Sequence, residues 1–206
     1  MRIACQKDME VCGEADGMVN ALKLLNSTSP DVIVVDVQLK KADGLDLVKR
    51  IKARDGTARI LVWSVYPDKL YAKRALNAGA LGYINKAYST SQIVEAIRRV
   101  REGKVYVSEE MAELLLHHAV GGAESVRLSP IEALSDRELE VFRLIGQGLS
   151  PAQLAAELHI SRHTIDTHKQ RIKEKLGLAT ASELTQAAVR WVIEDKCEER
   201  NETVPP

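Results

Sequence analysis

The first hundred residues alternate short β-branched runs with amphipathic stretches. Met9 to Gly13 reads as a strand, and Gly17 to Leu25 as a helix with Val19, Leu22 and Leu25 on one face. Asp31-Val32-Ile33-Val34-Val35-Asp36 is too continuously apolar for an exposed edge and suits a parallel strand covered on both faces. The alternation then repeats: a helix over about 44–54, a strand from Arg59 to Ser64, a helix over about 68–78, a strand from Leu81 to Ile84 and a helix over about 90–103. Strand and helix in strict turn predict right-handed βαβ units and a doubly wound α/β sheet within residues 1–107.

From Ser108 the pattern changes. Ser108 is placed to cap a helix ending near His118, and Gly121-Gly122-Ala123-Glu124-Ser125 is a small, polar stretch, so 108–130 reads as a linker helix followed by a flexible linker. Beyond it there is no strand signal. Three capping boxes pair Ser135 with Glu138, Ser150 with Gln153 and Thr180 with Glu183, while Ser161 caps a further helix that Gly177 stops. These predict an all-α four-helix domain over 131–195. The charged tail, 196–206, ends in Pro-Pro and is expected to be mobile.

Composition narrows the classes. The chain has 206 residues, enough for two small cores, and is 45% apolar and 28% charged, as in ordinary soluble proteins. Its 29 basic residues equal its 29 acidic ones, so any affinity for nucleic acid must be local. No apolar run is long enough to span a membrane, and Met1 to Lys7 is too polar for a signal peptide, which predicts a cytoplasmic protein without membrane contact. Cys5, Cys12 and Cys197 lack metal-ligand spacing and read as free thiols. No metal-ligand, nucleophile–base or glycine-rich phosphate motif points to an enzyme.

The local signal lies in the second half. Ser150 to Leu158 is a short helix with Pro151 in its first turn, His159-Ile160 makes a turn, and Ser161 starts the next helix, a helix-turn-helix layout. Ile165, His168, Ile172 and Leu176 recur at helical spacing and are assigned to the core. The other face carries Arg162, His163, Asp166, Thr167, Lys169, Gln170, Arg171 and Lys173, and between 161 and 177 five basic residues stand against two acidic ones. Charge alone would equally suit a solvated face of a helical bundle. Leu134-Ser135-Asp136-Arg137-Glu138-Leu139-Glu140-Val141, Gly148-Leu149-Ser150, Thr164-Ile165-Asp166-Thr167-His168 and Lys175-Leu176-Gly177 resemble, with spacing intact, the LuxR-type helix-turn-helix of the NarL/FixJ family. That resemblance implies double-stranded DNA as partner, with Asp166, Thr167 and Gln170 facing bases and Lys169, Arg171 and Lys173 facing phosphates. It also implies pairing of two protomers through the last helix, Ser182 to Ile193, with Leu184, Ala188 and Trp191 as candidate dimerisation residues; the alternative is an ordinary core face, and the two are compatible.

In the first half, Asp36, Ser64 and Lys86 fall at or just past three strand ends, where doubly wound sheets bind ligands. A carboxylate nucleophile needs a cation and a hydroxyl for the phosphoryl oxygens it receives. Asp36 with Gly44, Trp63-Ser64, Asn77-Ala78-Gly79-Ala80 and Gly82-Tyr83-Ile84-Asn85-Lys86 resemble the receiver domain of response regulators, a flavodoxin-like fold. This implies Asp36 as phosphoacceptor and weak metal ligand, Ser64 and Tyr83 as switch residues drawn inward on phosphorylation, and Lys86 as phosphate partner. A sensor histidine kinase would be the phosphate source.

Two departures stand out. Lys40 occupies a position that is usually proline, and Met1 to Lys7 matches only the end of the helix after the family's first strand. The acidic pair that holds Mg²⁺ at the end of that strand has no counterpart; Asp8 and Glu10 come too late to serve. Mg²⁺ is therefore expected only if an acidic pair lies upstream. Either the true start lies roughly 15–25 residues earlier, or the receiver is reduced, its remaining strands pair directly, and it acts as a phosphate-independent dimerisation module. The functions left open are a phosphorylation-gated transcription regulator, an orphan DNA-binding protein and a protein-contact adaptor.

Overall fold

The computed structural model describes residues 2–39, 42–88, 90–120 and 130–202. It forms two compact units, Met1–Ser125 and Val126–Pro206. In the first, a short turn of 3-10 helix at Arg2–Cys5 precedes α1 (Met18–Leu24), β1 (Ile33–Val35), β2 (Gln38–Leu39), β3 (Ala42–Asp43) and α2 (Gly44–Arg54). β4 (Ile60–Ser64), α3 (Asp68–Ala78), β5 (Gly82–Asn85), α4 (Thr90–Arg101) and α5 (Glu109–Val120) follow. The main sheet is parallel, ordered β1-β4-β5, with Ile33 opposite Ile60 and Leu61 opposite Gly82. Leu61 and Ile84 on one face of it bury against Ile93, Ala96 and Val100 of α4. The strands and helices from β4 to α4 lie where the apolar periodicity places them.

The N-terminal segment departs from expectation. Met9 to Gly13 forms no strand: it is irregular, and Val11 is exposed. A strand is stabilised through its neighbour's hydrogen bonds, and no described strand pairs with this segment or with the outer edge of β1. Val34 in β1 is correspondingly 37% exposed, so this strand is not covered on both faces. Val19 of α1, expected on a packed face, is 65% exposed, and that helix contains no buried residue. The small antiparallel ladder β2–β3, with Gln38 opposite Asp43, has no signal in the periodicity. Lys40 lies outside the described residues, as do the linker residues Gly121 to Ser125. α5 docks on α3 rather than standing free: Met111 is buried and Lys69 pairs with Glu110 at 3.0 Å.

In the second unit a 3-10 turn at Pro130–Ala133 leads into α6 (Asp136–Gly146), α7 (Pro151–Glu157), α8 (Arg162–Leu176) and α9 (Ala181–Glu202). Ser135 and Ser150 form reciprocal capping boxes with Glu138 and Gln153, Thr180 and Glu183 do the same, and Ser161 accepts from the Thr164 amide. Gly177 closes α8 in the left-handed region, at φ 66°. α9 continues to Glu202, well past Ile193, so 196–202 extends the helix instead of forming the mobile tail that its charge suggested. The core joins Leu139, Phe142 and Ile145 of α6 to Leu154, Ile165, Ile172, Leu184 and Ala188.

α6 and α9 touch closely because Gly146 has no side chain. A Cβ there would meet the Ala188 carbonyl and stand 2.6 Å from Val192 Cγ2. Gly146→Ala should therefore lower the unfolding free energy of this unit by about 1–3 kcal/mol, as overpacking does. A lower urea midpoint for its transition would show this; an unchanged midpoint would mean that α9 yields without cost.

Candidate functional site

The turn between α7 and α8 is built from named contacts. His159 takes a left-handed conformation, φ 51°, and the Ile160 amide bonds back to Ala155. Arg137 holds the end of α7 from α6, donating to the Leu158 carbonyl at 2.7 Å while pairing with Glu140 at 2.6 Å. α8 is pinned from behind by Ile165 and Ile172, both fully buried, with Leu176 and His168 half-buried beside them. Lys175 reaches back to Glu138 at 2.7 Å, and that carboxylate is almost entirely enclosed. Burial pushes the Glu138 carboxyl up, but Lys175 and the bonds from Ser135 outweigh it and hold it below the usual glutamate range. His168 is held below the usual histidine range, first by burial and then by Arg137. Its Nδ1 is buried without a partner, as suits a packing rather than a reading role.

On the outer side, Arg162, His163, Asp166, Gln170 and Arg171 are exposed, and Thr167, Lys169 and Lys173 half-exposed. The Thr167 hydroxyl donates to the His163 carbonyl, and the Gln170 amide turns to Glu174 at 2.9 Å. Among the described residues Arg162, Lys169, Arg171 and Lys173 form no ion pair. The eight predicted residues thus share the open side of one helix, whereas Lys175 is withdrawn from it. Arg137 and Glu138 were legible only as capping and motif residues; their fastening of the turn and of α8 depends on contacts across the chain.

Two of the three candidate pairing residues, Leu184 and Ala188, need correction. Leu184 and Ala188 are 0% exposed and belong to the core against α6, whereas Trp191 packs on Phe142 with ring centroids 5.8 Å apart and is only half-buried. Fully buried side chains cannot touch a partner. The side of α9 away from the core carries Thr185, Gln186, Val189, Arg190, Ile193 and Glu194, with Val189 half-buried and Ile193 exposed.

In the first unit Asp36, Ser64 and Lys86 converge. Lys86 Nζ lies 2.5 Å from Asp36 Oδ2 and 5.3 Å from the centre of the Trp63 ring, and the Lys86 amide donates to the Ser64 carbonyl at 2.7 Å. The Gln38 amide donates to Asp36 Oδ1 at 3.2 Å. Gly44 opens α2 directly under this loop, where a Cβ would collide with the Asp36 carbonyl. Ser64 and Tyr83 are 0% exposed, and both are turned inward. The Tyr83 hydroxyl donates to the Tyr66 carbonyl at 2.7 Å, and Asn85 Nδ2 donates to the same oxygen at 2.9 Å. Burial pushes the Tyr83 phenol strongly upward. The bonds of Asn85 and Tyr66 had no signal beyond the motif containing Asn85.

Mg²⁺ requires several oxygen ligands. Asp36 is one carboxylate, with Lys86 and Gln38 on its two oxygens; Asp8 is bound at 3.0 Å by Arg98 instead. No group of three or more acidic, His or Cys side chains among the described residues could hold a metal ion. This donor set does not fit Mg²⁺.

A model of the response regulator receiver domain matches residues 1–98, and a model of bacterial regulatory proteins of the luxR family matches residues 132–188. BvgA of Bordetella pertussis is 31% identical over 192 residues, 92% of this chain and 90% of that one. The chain belongs to the LuxR-type response regulators. The oxygen regulatory protein NreC of Staphylococcus carnosus is a similar relative, 32% identical over 194 residues, covering 92% of this chain and 89% of its own. RcsB from Salmonella enterica serovar Typhimurium, solved bound to the promoter rprA with the phosphomimetic BeF3−, shares the fold at a TM-score of 0.57. It is 22% identical, and the match covers 89% of this chain and 87% of RcsB. This LuxR-type response regulator therefore joins a receiver to a helix-turn-helix unit. No described helix is long and apolar enough to cross a membrane.

Acid should loosen the helical unit in two steps. Glu138 and His168 both have lowered values when folded, so unfolding takes up protons as pH falls through the ordinary histidine and then glutamate ranges, and stability drops. Urea midpoints measured against pH should show both limbs, His168→Gln flattening the upper and Glu138→Gln the lower. Profiles identical to the wild type would contradict the assignment.

Proposed function

We propose that this chain is a cytoplasmic two-component transcription regulator that binds double-stranded DNA as a homodimer and turns over no external substrate. The observation that carries DNA binding is the set of cations on α8, Arg162, Lys169, Arg171 and Lys173, left without ion pairs among the described residues while the helix is fastened from behind. Cations free in a protein with balanced charge are available to phosphates, and the polar first half of the helix is available to base edges. Arg162, Lys169, Arg171 and Lys173 take phosphates in this reading, and His163, Asp166, Thr167 and Gln170 face the groove. The outward side of α9 around Val189 and Ile193 takes the partner protomer, and a two-fold dimer reads two half-sites.

Asp36 accepts the phosphoryl group of a sensor histidine kinase in this reading, which the Lys86–Asp36 pair supports: the ammonium is already placed for oxygens arriving on that carboxylate. A second reading, DNA binding without phosphorylation, is favoured by the engagement of both Asp36 oxygens, one by Lys86 and the other by the Gln38 amide. Intact-mass measurement after incubation with a small phosphodonor and Mg²⁺ separates them. Gating predicts a gain of one phosphoryl group that Asp36→Asn abolishes; no gain, with equal DNA retention by both proteins, establishes the second.

Lys169→Ala should weaken binding to every duplex alike and flatten its salt dependence by about one unit. A loss confined to some sequences with an unchanged salt slope would contradict the phosphate role.

A further inference from the structure

Asp166 is out of place electrostatically. It stands exposed on the open side of α8, where a duplex would bring phosphates, and it can only repel them. Arg162 lies one turn before it and Lys169 and Gln170 one turn after, all within reach of a helical pair. Yet among the described residues Asp166 forms no ion pair, and Gln170 turns instead to Glu174. The other acidic residue of α8, Glu174, is thus engaged, and Lys175 is occupied by Glu138. Asp166 remains as a free carboxylate, an acceptor without a donor.

We infer that Asp166 selects a cytosine in the half-site, an inference that rests on α8 lying in the major groove. A carboxylate accepts hydrogen bonds and donates none. Guanine and thymine show it only acceptors in that groove, so both repel it. Adenine offers its N6 amino group, but the neighbouring N7 lone pair faces the second carboxylate oxygen. Cytosine offers its N4 amino group with a C–H, not a lone pair, next to it on the same ring. The repulsion from phosphates is then offset only where that base is present, so the same charge that lowers general affinity sharpens choice. Arg162, Lys169 and Lys173 supply the affinity, and Asp166 makes it conditional.

The test is selection of binding sites from random duplexes by the full chain and by its Asp166→Ala and Asp166→Asn variants; the side chain is exposed, so the fold is retained. The wild type should select a motif with one cytosine column. Asp166→Ala should lose that column and bind duplexes altered there roughly tenfold or more tightly relative to the selected site. Asp166→Asn should move the preference to adenine, whose N6 and N7 match an amide's acceptor and donor. If Asp166→Ala binds all duplexes more tightly by the same factor and keeps every column, the residue only repels and the inference is overturned. A wild-type chain that selects no motif overturns it together with the DNA-binding reading beneath it.

Discussion

Ile165 and Ile172 are the constraint from which the DNA-binding unit follows. Their complete burial fixes which side of α8 faces the core, and the rest of the helix has no freedom to rotate. Burying two branched side chains contributes on the order of a few kcal/mol, more than any exposed ion pair on that helix could. The enclosed Glu138–Lys175 pair locks the far end, and Arg137 locks the turn. What remains outside is cationic not because the protein is basic, since its charges cancel, but because Glu138 is engaged inward and Glu174 along the helix, which leaves Asp166 alone against Arg162, Lys169, Arg171 and Lys173.

The receiver unit follows a different rule. Parallel strands deliver their carboxyl ends to one edge, and three of them bring Asp36, Ser64 and Lys86 together from positions far apart in the chain. The loop after β4 is then clamped, its Tyr66 carbonyl taking donors from Tyr83 and Asn85. Gly44 permits the close packing of α2 under Asp36. The site is thus ordered around an ion pair, Lys86 with Asp36, in the place where a phosphoryl group would bind.

Legibility in the sequence tracked the range of the interactions. Capping boxes at Ser135, Ser150 and Thr180 and the helical period of Ile165 and Ile172 act within a few residues, and these elements were readable. So were the strands from Arg59 onward, whose partners are present in the described chain. Met9 to Gly13 has the composition of a strand but no neighbour to bond, and composition carries no record of a neighbour. Val19 failed likewise: an apolar stripe finds a core only if another element covers it. On α9 Leu184 and Ala188 were readable as apolar, but whether they face their own domain or a partner is decided by α6, and Gly146 brings α6 close enough to claim them. Among the site residues, Lys86 and Asp36 were visible through motif spacing, whereas the inward position of Tyr83 rests on the Tyr66 carbonyl 17 residues away.

The central claim, that the outward side of α8 is the surface that meets DNA, is tested most directly by mapping backbone amide chemical shifts of the full chain during titration with a duplex carrying its selected site. The account predicts that the largest changes cluster between residues 161 and 173, with the Ile172 side chain still buried and the amides of β1, β4 and β5 little moved. Large changes confined to residues 1–125, with the α8 amides unmoved, would contradict it.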